Sequence, residues 1–396
     1  MPHPFSRFNP KHGLRFCEGV NQPLPKSPGV MNVGSDALET WDTMGLLYMT
    51  LPIMGHVVLA RTLILSVGRD TWISSLLALP VGCLTVFLIW FILRRPNGEW
   101  ARLPTVLGGV IYNFLRWLLV GYFLFLTITT VIFLVALIHA VFLPQTPVWA
   151  ITIWFGLFAY YAAAKGINAI ARTAVILGII SFVLGYSVTA MSTPLKHWEE
   201  LKPLLEHGWI PVLDGVLRIS SMWSELIFLL LIPLRHKPGK GLLAIWLSGI
   251  FLNTIMTIST PTGAITIFGL REAQNMLYPA TEGLRIISLG FIDRFDIYAL
   301  LMMSFGCYIR TSLYARICVQ LILNPRIGHS LGTHRLQITL LGIMVLILSG
   351  AIIVAPNASW SETLANEYQW GIFMLSIPVL LLLVSELAHR KCGISQ

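Results

Sequence analysis

Two apolar stretches of the chain carry charged side chains at positions that lie well inside a membrane span. Arg218 and Glu225 lie in one stretch, and Arg310 lies in another, with Tyr314 one helical turn further on. A charge at membrane depth costs about 2.5 kcal/mol or more unless it meets a partner, a cavity or a ligand. These residues therefore indicate either a buried ion pair or a site for a charged molecule.

Arg310 has two interpretations that the sequence leaves open. Its planar guanidinium can hold a ligand carboxylate through two parallel hydrogen bonds, or it can pair with Glu225 inside the bundle. Glu225 follows Arg218 by seven residues on one helix face and needs a partner or a proton. Arg218 lies nearer the outer end of its stretch, where its side chain can extend toward the interface.

Two segments have the residue types of a helix that breaks inside the membrane. In Leu51-Pro52-Ile53-Met54-Gly55-His56, Pro52 lacks an N–H and Gly55 accepts unusual dihedral angles. A break there would aim free N–H groups at an anion, whereas a simple kink would not. His56 is expected to be a satisfied interior residue, with a proton-linked role as the alternative.

The second segment, residues 220–225, reads Ser220-Ser221-Met222-Trp223-Ser224-Glu225. Its three hydroxyls can satisfy backbone groups freed by a break, or they can form a polar face for helix packing.

The elements that position these residues must be membrane helices. The chain is 56% hydrophobic and only 11% charged, whereas a soluble domain has about 25% charged residues. A helix needs about 20 apolar residues to cross the hydrocarbon core. We predict an all-α polytopic membrane protein with ten spans, near residues 43–65, 72–93, 105–142, 147–164, 171–191, 211–234, 241–262, 296–322, 337–355 and 369–388.

Three regions need a separate interpretation, and two of them have alternatives. Residues 105–142 predict either one strongly tilted helix or a short interfacial helix followed by a span. Residues 192–209 combine Trp and Leu with charges, which favours a short interfacial helix. Residues 270–290 predict an outer helical loop, either an ordinary amphipathic surface loop or a lid over an outward-facing cavity.

The connectors predict the orientation of the chain. Most Lys and Arg residues fall in segments on the side of the N-terminus, so both termini are expected in the cytoplasm. The spans divide into a first repeat, 43–191, and a second repeat, 211–388, of opposite orientation, which is the arithmetic of a 5+5 inverted repeat. Residues 1–42 and 389–396 are expected to be cytoplasmic tails, the first of them disordered, and 192–210 an outer connector.

Several functions find no support in the sequence. The basic residues are scattered through connectors, so we expect no nucleic-acid partner. The five cysteines form no CxxC pattern, and we expect no metal and no cofactor. The chain also lacks GxSxG, Walker, HExxH and GxGxxG motifs, so we expect no enzyme.

The order and spacing of several short motifs resemble the endospore germination permeases, the B subunits of spore germinant receptors. Residues 68–74 are similar to the family's Gly-(Arg/Gln)-Asp-Ala-Trp-Ile-Ser signature, and residues 55–61 to its Gly-x-x-x-Leu-Pro-Arg, with Ala60 in place of proline. The likeness extends through residues 121–124, 143–147, 166–172, 268–269, 278–279 and 293–296.

The resemblance implies the fold of the amino acid–polyamine–organocation superfamily (LeuT-like), with broken first and sixth helices. It implies a subunit in the spore inner membrane that senses a small nutrient, expected to be an amino acid, beside an A subunit and a lipoprotein C subunit. The family's pocket, together with His56, maps to ten residues, namely Gly55, His56, Tyr122, Leu126, Ser221, Met222, Trp223, Ser224, Arg310 and Tyr314.

The chain departs from the family at Arg310, where an alanine-responsive member has a small hydroxyl residue. A cation at this position is expected to change the choice of ligand. Glu225 is also out of register with the family's Gly-x-Glu, so its role as a coupling group or ion-pair partner is a separate question. The alternative function is a proton- or cation-coupled amino acid transporter of the same fold.

Overall fold

The computed structural model describes residues 37–55, 59–95, 109–286, 296–323 and 333–356, and their regular elements are helices. We number the α-helices of these ranges in chain order. Their bounds are α1 Thr40–Thr50, α2 Ala60–Ser66, α3 Thr71–Arg94, α4 Gly109–Leu137, α5 Val148–Lys165, α6 Ile167–Ser192, α7 Trp209–Trp223, α8 Lys240–Phe268, α9 Leu270–Asn275, α10 Pro279–Arg285, α11 Asp296–Leu323 and α12 Thr333–Val354.

The protein is an integral membrane protein. Within the described ranges, six helical stretches are long and apolar enough to cross a membrane. The eighth predicted span, α11, has 28 residues but is less apolar because it carries Arg310 and Arg316. The tenth, 369–388, lies outside the described residues. The six stretches are Gly68–Arg94, Gly109–Phe142, Val148–Lys165, Ile167–Leu195, Lys240–Phe268 and His334–Val354.

The first predicted span is divided. Its helix α1 ends at Thr50, the single turn Pro52–Met54 follows, and α2 begins at Ala60. Pro52 has no N–H, so the Tyr48 carbonyl one turn earlier loses its helical donor. His56 and residues 57–58 lie outside the described ranges.

The sixth predicted span is also divided. Its helix α7 ends at Trp223, and the 3-10 helix Ser224–Leu230 continues the chain. Both helices are therefore interrupted in segments where the sequence predicts a break.

The structure describes the third span from Gly109 onward and the connector between the fifth and sixth spans. The third span is one continuous helix from Gly109, extended by the π-helical turn Ile138–Phe142. The connector 192–209 forms two short 3-10 helices, Thr193–Leu195 and Trp198–Leu201, and both lie in the segment where the sequence predicts a short interfacial helix. They stay short because Pro194 and Pro203 have no N–H and the His197 N–H donates to the Thr266 carbonyl instead.

The long helices pack in pairs that lie five spans apart. Helix α3, the second span, packs on α8, the seventh. Helix α4, the third span, packs on α11, the eighth. Helix α5, the fourth span, packs on α12, the ninth. Two further sets of contacts come in matching pairs. Helix α3 contacts α7 as α8 contacts α1, and α4 contacts α12 as α11 contacts α5.

Residues of the 68–74 segment, in the turn between the first two spans, form hydrogen bonds with the connector that precedes the sixth span. The Asp70 carboxylate accepts the Leu205 N–H at 3.0 and 3.1 Å, and Arg69 Nε donates to the Glu200 carbonyl at 2.9 Å. Asp70 is buried, so this backbone hydrogen bond is shielded from water. These motif residues therefore hold the architecture together at this end of the bundle.

Close approach of α1 to α6 depends on a glycine. A Cβ atom at Gly45 would lie 2.8 Å from the Val175 backbone nitrogen and 2.9 Å from its Cα. Small residues allow such approach between membrane helices, which gain little from apolar burial because lipid is itself apolar. Backbone atoms cannot rotate away, so the contact has no simple relief.

We predict that Gly45→Ala destabilises the folded protein. The methyl group overpacks the α1–α6 contact, and overpacking costs about 1–3 kcal/mol. The measurement is the midpoint of thermal unfolding of the purified protein in detergent.

The matched control is Gly121→Ala in α4, where an added Cβ meets nothing within 4 Å. Because alanine is the better helix former by about 1 kcal/mol, this variant should keep or slightly raise the midpoint. Equal midpoints for the two variants would contradict the packing argument.

Candidate functional site

Arg310 and Glu225 form an ion pair in the interior of the bundle. Arg310 projects from α11, and Glu225 is the second residue of the 3-10 helix that continues the sixth span. Nη2 donates to Glu225 Oε1 at 2.7 Å, and Nη1 donates to Oε2. Both side chains are 0% exposed. Arg310 and Glu225 are therefore paired in this structure.

The rest of the guanidinium bonds to two other helices. Nε donates to Thr130 Oγ1 of α4 at 2.7 Å, and Nη1 also donates to the Thr50 carbonyl at 2.9 Å. Thr50 is the last residue of α1, where carbonyl groups have no helical donor. Arg310 therefore satisfies a backbone group that the interruption of the first span leaves free.

Tyr314 completes the surroundings of the carboxylate. Its hydroxyl donates to Glu225 Oε2 at 2.6 Å, and its ring lies 5.0 Å from Arg310 Cζ in a cation–π contact. The Glu225 carboxylate thus accepts three hydrogen bonds, all from α11. We call this set of five residues the charge cluster: Thr50, Thr130, Glu225, Arg310 and Tyr314.

A hydroxyl chain runs beside the charge cluster. Ser224 Oγ donates to the Ser221 carbonyl at 2.5 Å. A serine hydroxyl has one proton, so Tyr122 must be the donor in the 2.5 Å contact between Tyr122 Oη and Ser224 Oγ. This chain fixes α4 to the point at which α7 passes into the 3-10 helix.

The structure brings some predicted site residues together and separates others. Tyr122, Ser224, Arg310 and Tyr314 meet around Glu225, and Leu126 lies on the same face of α4. Trp223 instead contacts the second span, because its Nε1 donates to the Ala78 carbonyl at 3.1 Å.

Two other predicted residues lie elsewhere. Gly55 faces α8, where an added Cβ would lie 3.2 Å from Thr257 Oγ1. Met222 is buried in the apolar core. His56 lies outside the described residues.

Sequence reasoning missed Thr130 and Thr50. Thr130 follows Tyr122 and Leu126 at intervals of four residues, and this spacing places all three on one face of α4. The spacing would have identified it. Thr50 contributes only its backbone carbonyl, which no side-chain pattern reveals.

Arg218 is separate from the charge cluster. Its Nε donates to Asp214 Oδ2, one turn earlier in α7, at 2.6 Å, and both side chains are partly exposed. It is a surface ion pair within one helix rather than a buried charge.

A cavity of about 170 Å³, which we call the chamber, adjoins the end of α1. Its walls come from α1, α6, α8, α10 and α11, so part of the 270–290 loop borders it. The lining is mostly apolar, with hydroxyls from Tyr48, Ser181 and Tyr186 and the ammonium group of Lys196. Burial lowers the pKa of Lys196 below its ordinary value.

The chamber and the charge cluster together contain groups suited to binding. Within the described part of the chain, His, Cys, Asp and Glu side chains form no group of three that could hold a metal ion. The chemistry on offer is hydrogen bonding, charge pairing and apolar contact.

Comparison with known proteins places this geometry in a family. Residues 38–356 match the model of a family described as spore germination protein, over most of the chain. The chain belongs to this family, the spore germination permeases. The match spans every element of the chamber and the charge cluster.

Three relatives share parts of this permease's sequence. Spore germination protein XB of Bacillus anthracis is 31% identical over 271 residues, which are 66% of this chain and 74% of that protein. Spore germination protein GerQB of Bacillus cereus is 24% identical over a match that covers 58% of this chain and 64% of that protein. Spore germination protein KB of Bacillus subtilis is 23% identical, covering 62% and 68%.

We predict strong energetic coupling between Arg310 and Glu225 in this permease. Removing one partner leaves an uncompensated buried charge, so Arg310→Met and Glu225→Leu should each lower the free energy of unfolding by about 3–5 kcal/mol. The double variant buries no charge at this site and should recover most of the loss. Denaturation by SDS in mixed micelles measures all three.

The control is Arg218→Met, which breaks a partly exposed pair and should cost about 1 kcal/mol or less. Additive losses in the Arg310/Glu225 double variant would show that the two charges are not coupled.

Proposed function

We propose that the protein is the germinant-sensing membrane subunit of a spore nutrient receptor. A small nutrient, an amino acid in the first instance, binds at mid-membrane and triggers germination. The protein acts in the spore inner membrane with both termini in the cytoplasm, beside an A subunit and a lipoprotein C subunit. Family membership supports the germination role, and the charge cluster supports the sensing mechanism.

The single observation that carries the mechanism is that one buried arginine joins both interrupted spans. Arg310 donates to the Thr50 carbonyl at the end of α1 and to Glu225 in the 3-10 helix of the sixth span. Interrupted helices are where membrane proteins of alternating conformation bind ligands and move. A change at either interruption must therefore break or rearrange the same set of hydrogen bonds.

The proposed architecture is a 5+5 inverted repeat of ten spans. In such a fold each span has a counterpart five positions along the chain. The packing of the second with the seventh, third with the eighth and fourth with the ninth span supports it. A contact between the two repeats also has its equivalent when the repeats are interchanged. Helix α3 contacts α7, and their counterparts α8 and α1 contact each other.

In the proposed mechanism the charge cluster holds the resting arrangement. The Glu225 carboxylate occupies the guanidinium fork that a ligand carboxylate would use, so we assign Arg310 and Tyr314 to the switch rather than to direct ligand contact. A nutrient shifts the protein only if it binds the second arrangement more tightly than the resting one. The ligand-binding role of Tyr122, Leu126 and the 221–224 segment stays a prediction.

We predict that Tyr314→Phe makes spores respond to less nutrient. The variant removes only the hydroxyl that donates to Glu225, so it weakens the resting arrangement while the ring still packs on Arg310. A hydrogen bond to a charged group corresponds to about a tenfold change in an equilibrium constant. The nutrient concentration for half-maximal germination should fall by about that factor.

The assay uses spores whose own copy of the gene is replaced by the variant, with Tyr161→Phe as the control because Tyr161 is exposed on α5. Spores with the gene deleted should lose the response to at least one nutrient. A response to every nutrient that survives deletion would overturn the receptor function, and a Tyr314→Phe threshold equal to or above wild type would overturn the switch.

Transport is tested separately. The isolated protein in proteoliposomes should show no accumulation of labelled amino acids above empty vesicles. Accumulation by the wild-type protein above empty vesicles would instead establish a transporter.

A further inference from the structure

Three hydroxyl groups that line the chamber have no hydrogen-bond partner in the described part of the protein. They belong to Tyr48 of α1 and to Ser181 and Tyr186 of α6. Tyr48 and Ser181 are each only 5% exposed, and all three hydroxyl oxygens are buried. Buried polar groups without partners are rare because each forfeits its hydrogen bonds to water.

Two other hydroxyls in the same lining are satisfied. Thr189 and Thr260 donate to helix carbonyls one turn earlier, as membrane helices commonly arrange. Ser181 has the same opportunity in α6 and makes no such bond. Three unpartnered hydroxyls meet at this one cavity, and their grouping points to a molecule that would satisfy them.

The size and lining of the chamber limit that molecule. A cavity of about 150 Å³ holds a molecule the size of benzene, so 170 Å³ suits a body of about six heavy atoms. Four methionines, whose flexible thioethers fit irregular shapes, supply much of the wall. They are Met49, Met256, Met302 and Met303. The body of the ligand must be mainly apolar.

The charge of the lining limits the chemical class of the ligand further. None of the residues that line the chamber, all of them described, is Asp or Glu. Lys196 is half-buried in the lining, and its Nζ lies 5.8 Å from the centre of the Trp198 ring. A desolvated ammonium gains from a nearby anion, and a ligand cation would meet repulsion there.

We propose that the chamber binds a small carboxylate with an apolar body. Lys196 receives the carboxylate, the hydroxyls of Tyr48, Ser181 and Tyr186 bond to polar groups of the ligand, and the methionines enclose its body. This assignment rests on the proposed function, because it gives the nutrient its site and its chemical class.

The position of the chamber connects it to the charge cluster. Tyr48, Met49 and Pro52 line the chamber, and the carbonyl of Thr50 between them accepts a hydrogen bond from Arg310. Gly306 lines the chamber one turn before Arg310 in α11. A ligand that displaces the end of α1 must therefore disturb the hydrogen bond that the Thr50 carbonyl accepts from Arg310.

The test measures binding to the purified full-length protein in lipid nanodiscs by isothermal titration calorimetry. Three probes share one apolar body and differ in charge: 4-methylpentanoate, 4-methylpentanamide and 4-methylpentylamine. We expect the carboxylate to bind most tightly and the amide about tenfold more weakly, which is the worth of one charge-assisted hydrogen bond. The amine should bind weakest.

Two variants with matched controls identify the groups. Lys196→Met should abolish the preference for the carboxylate over the amide, whereas Lys202→Met, at an exposed position of the same connector, should keep it. Tyr48→Phe keeps the aromatic ring and removes only the hydroxyl, so it should weaken binding of the carboxylate several-fold. Tyr161→Phe should leave this binding unchanged. Wild-type protein that binds none of the probes would overturn the site. An amide that binds as tightly as the carboxylate would overturn the role of Lys196.

Failure of the site and failure of the proposed function give different results. If deletion of the gene abolishes a nutrient response but the purified protein binds no probe, the receptor stands and the chamber is not its ligand site. If the probes bind as expected but deletion leaves every nutrient response intact, the site stands and the receptor function fails.

Discussion

The structure depends on the burial of one arginine. A guanidinium at membrane depth is tolerated only when its donors are matched, and Arg310 finds acceptors on Glu225, Thr130 and the Thr50 carbonyl. These acceptors come from α4 and from both interrupted spans. Satisfying one charge therefore fixes the relative positions of four segments that are distant in sequence, which dispersion contacts between apolar helices in lipid would do less specifically.

The interruptions and the charge cluster stabilise each other. A helix that ends inside a membrane exposes carbonyl groups, which cost free energy wherever neither water nor another donor reaches them. At Thr50 the arginine supplies the donor, and at Ser224 the hydroxyl chain from Tyr122 supplies part of the same compensation. The buried charge needs the broken helices for its acceptors, and the broken helices need the charge for their donors.

Six of the predicted spans coincide with described helices that are long and apolar enough to cross a membrane, because hydropathy and length leave few alternatives for such a helix. The sequence also indicates the breaks, because Pro52 and the 220–225 hydroxyls have local consequences for the backbone. It could not decide between the two roles of Arg310, since that choice depends on which side chain lies opposite in space. It missed Tyr48, Ser181 and Tyr186 because single hydroxyls in apolar helices are common, and only the structure shows that these three lack partners and share one cavity.

The end of α1 contacts both the chamber and the charge cluster, which explains how binding and switching can be linked over a short distance. Its side chains at Tyr48 and Met49 border the chamber, while its last carbonyl is an acceptor for Arg310. No long pathway is needed, because one helix end is shared by both sites. A ligand that fits the chamber only after α1 moves would bind the two arrangements with different affinity, which is the thermodynamic requirement for a sensor. A ligand that fits the chamber without moving α1 would bind equally well to both and would signal nothing, however tightly it bound.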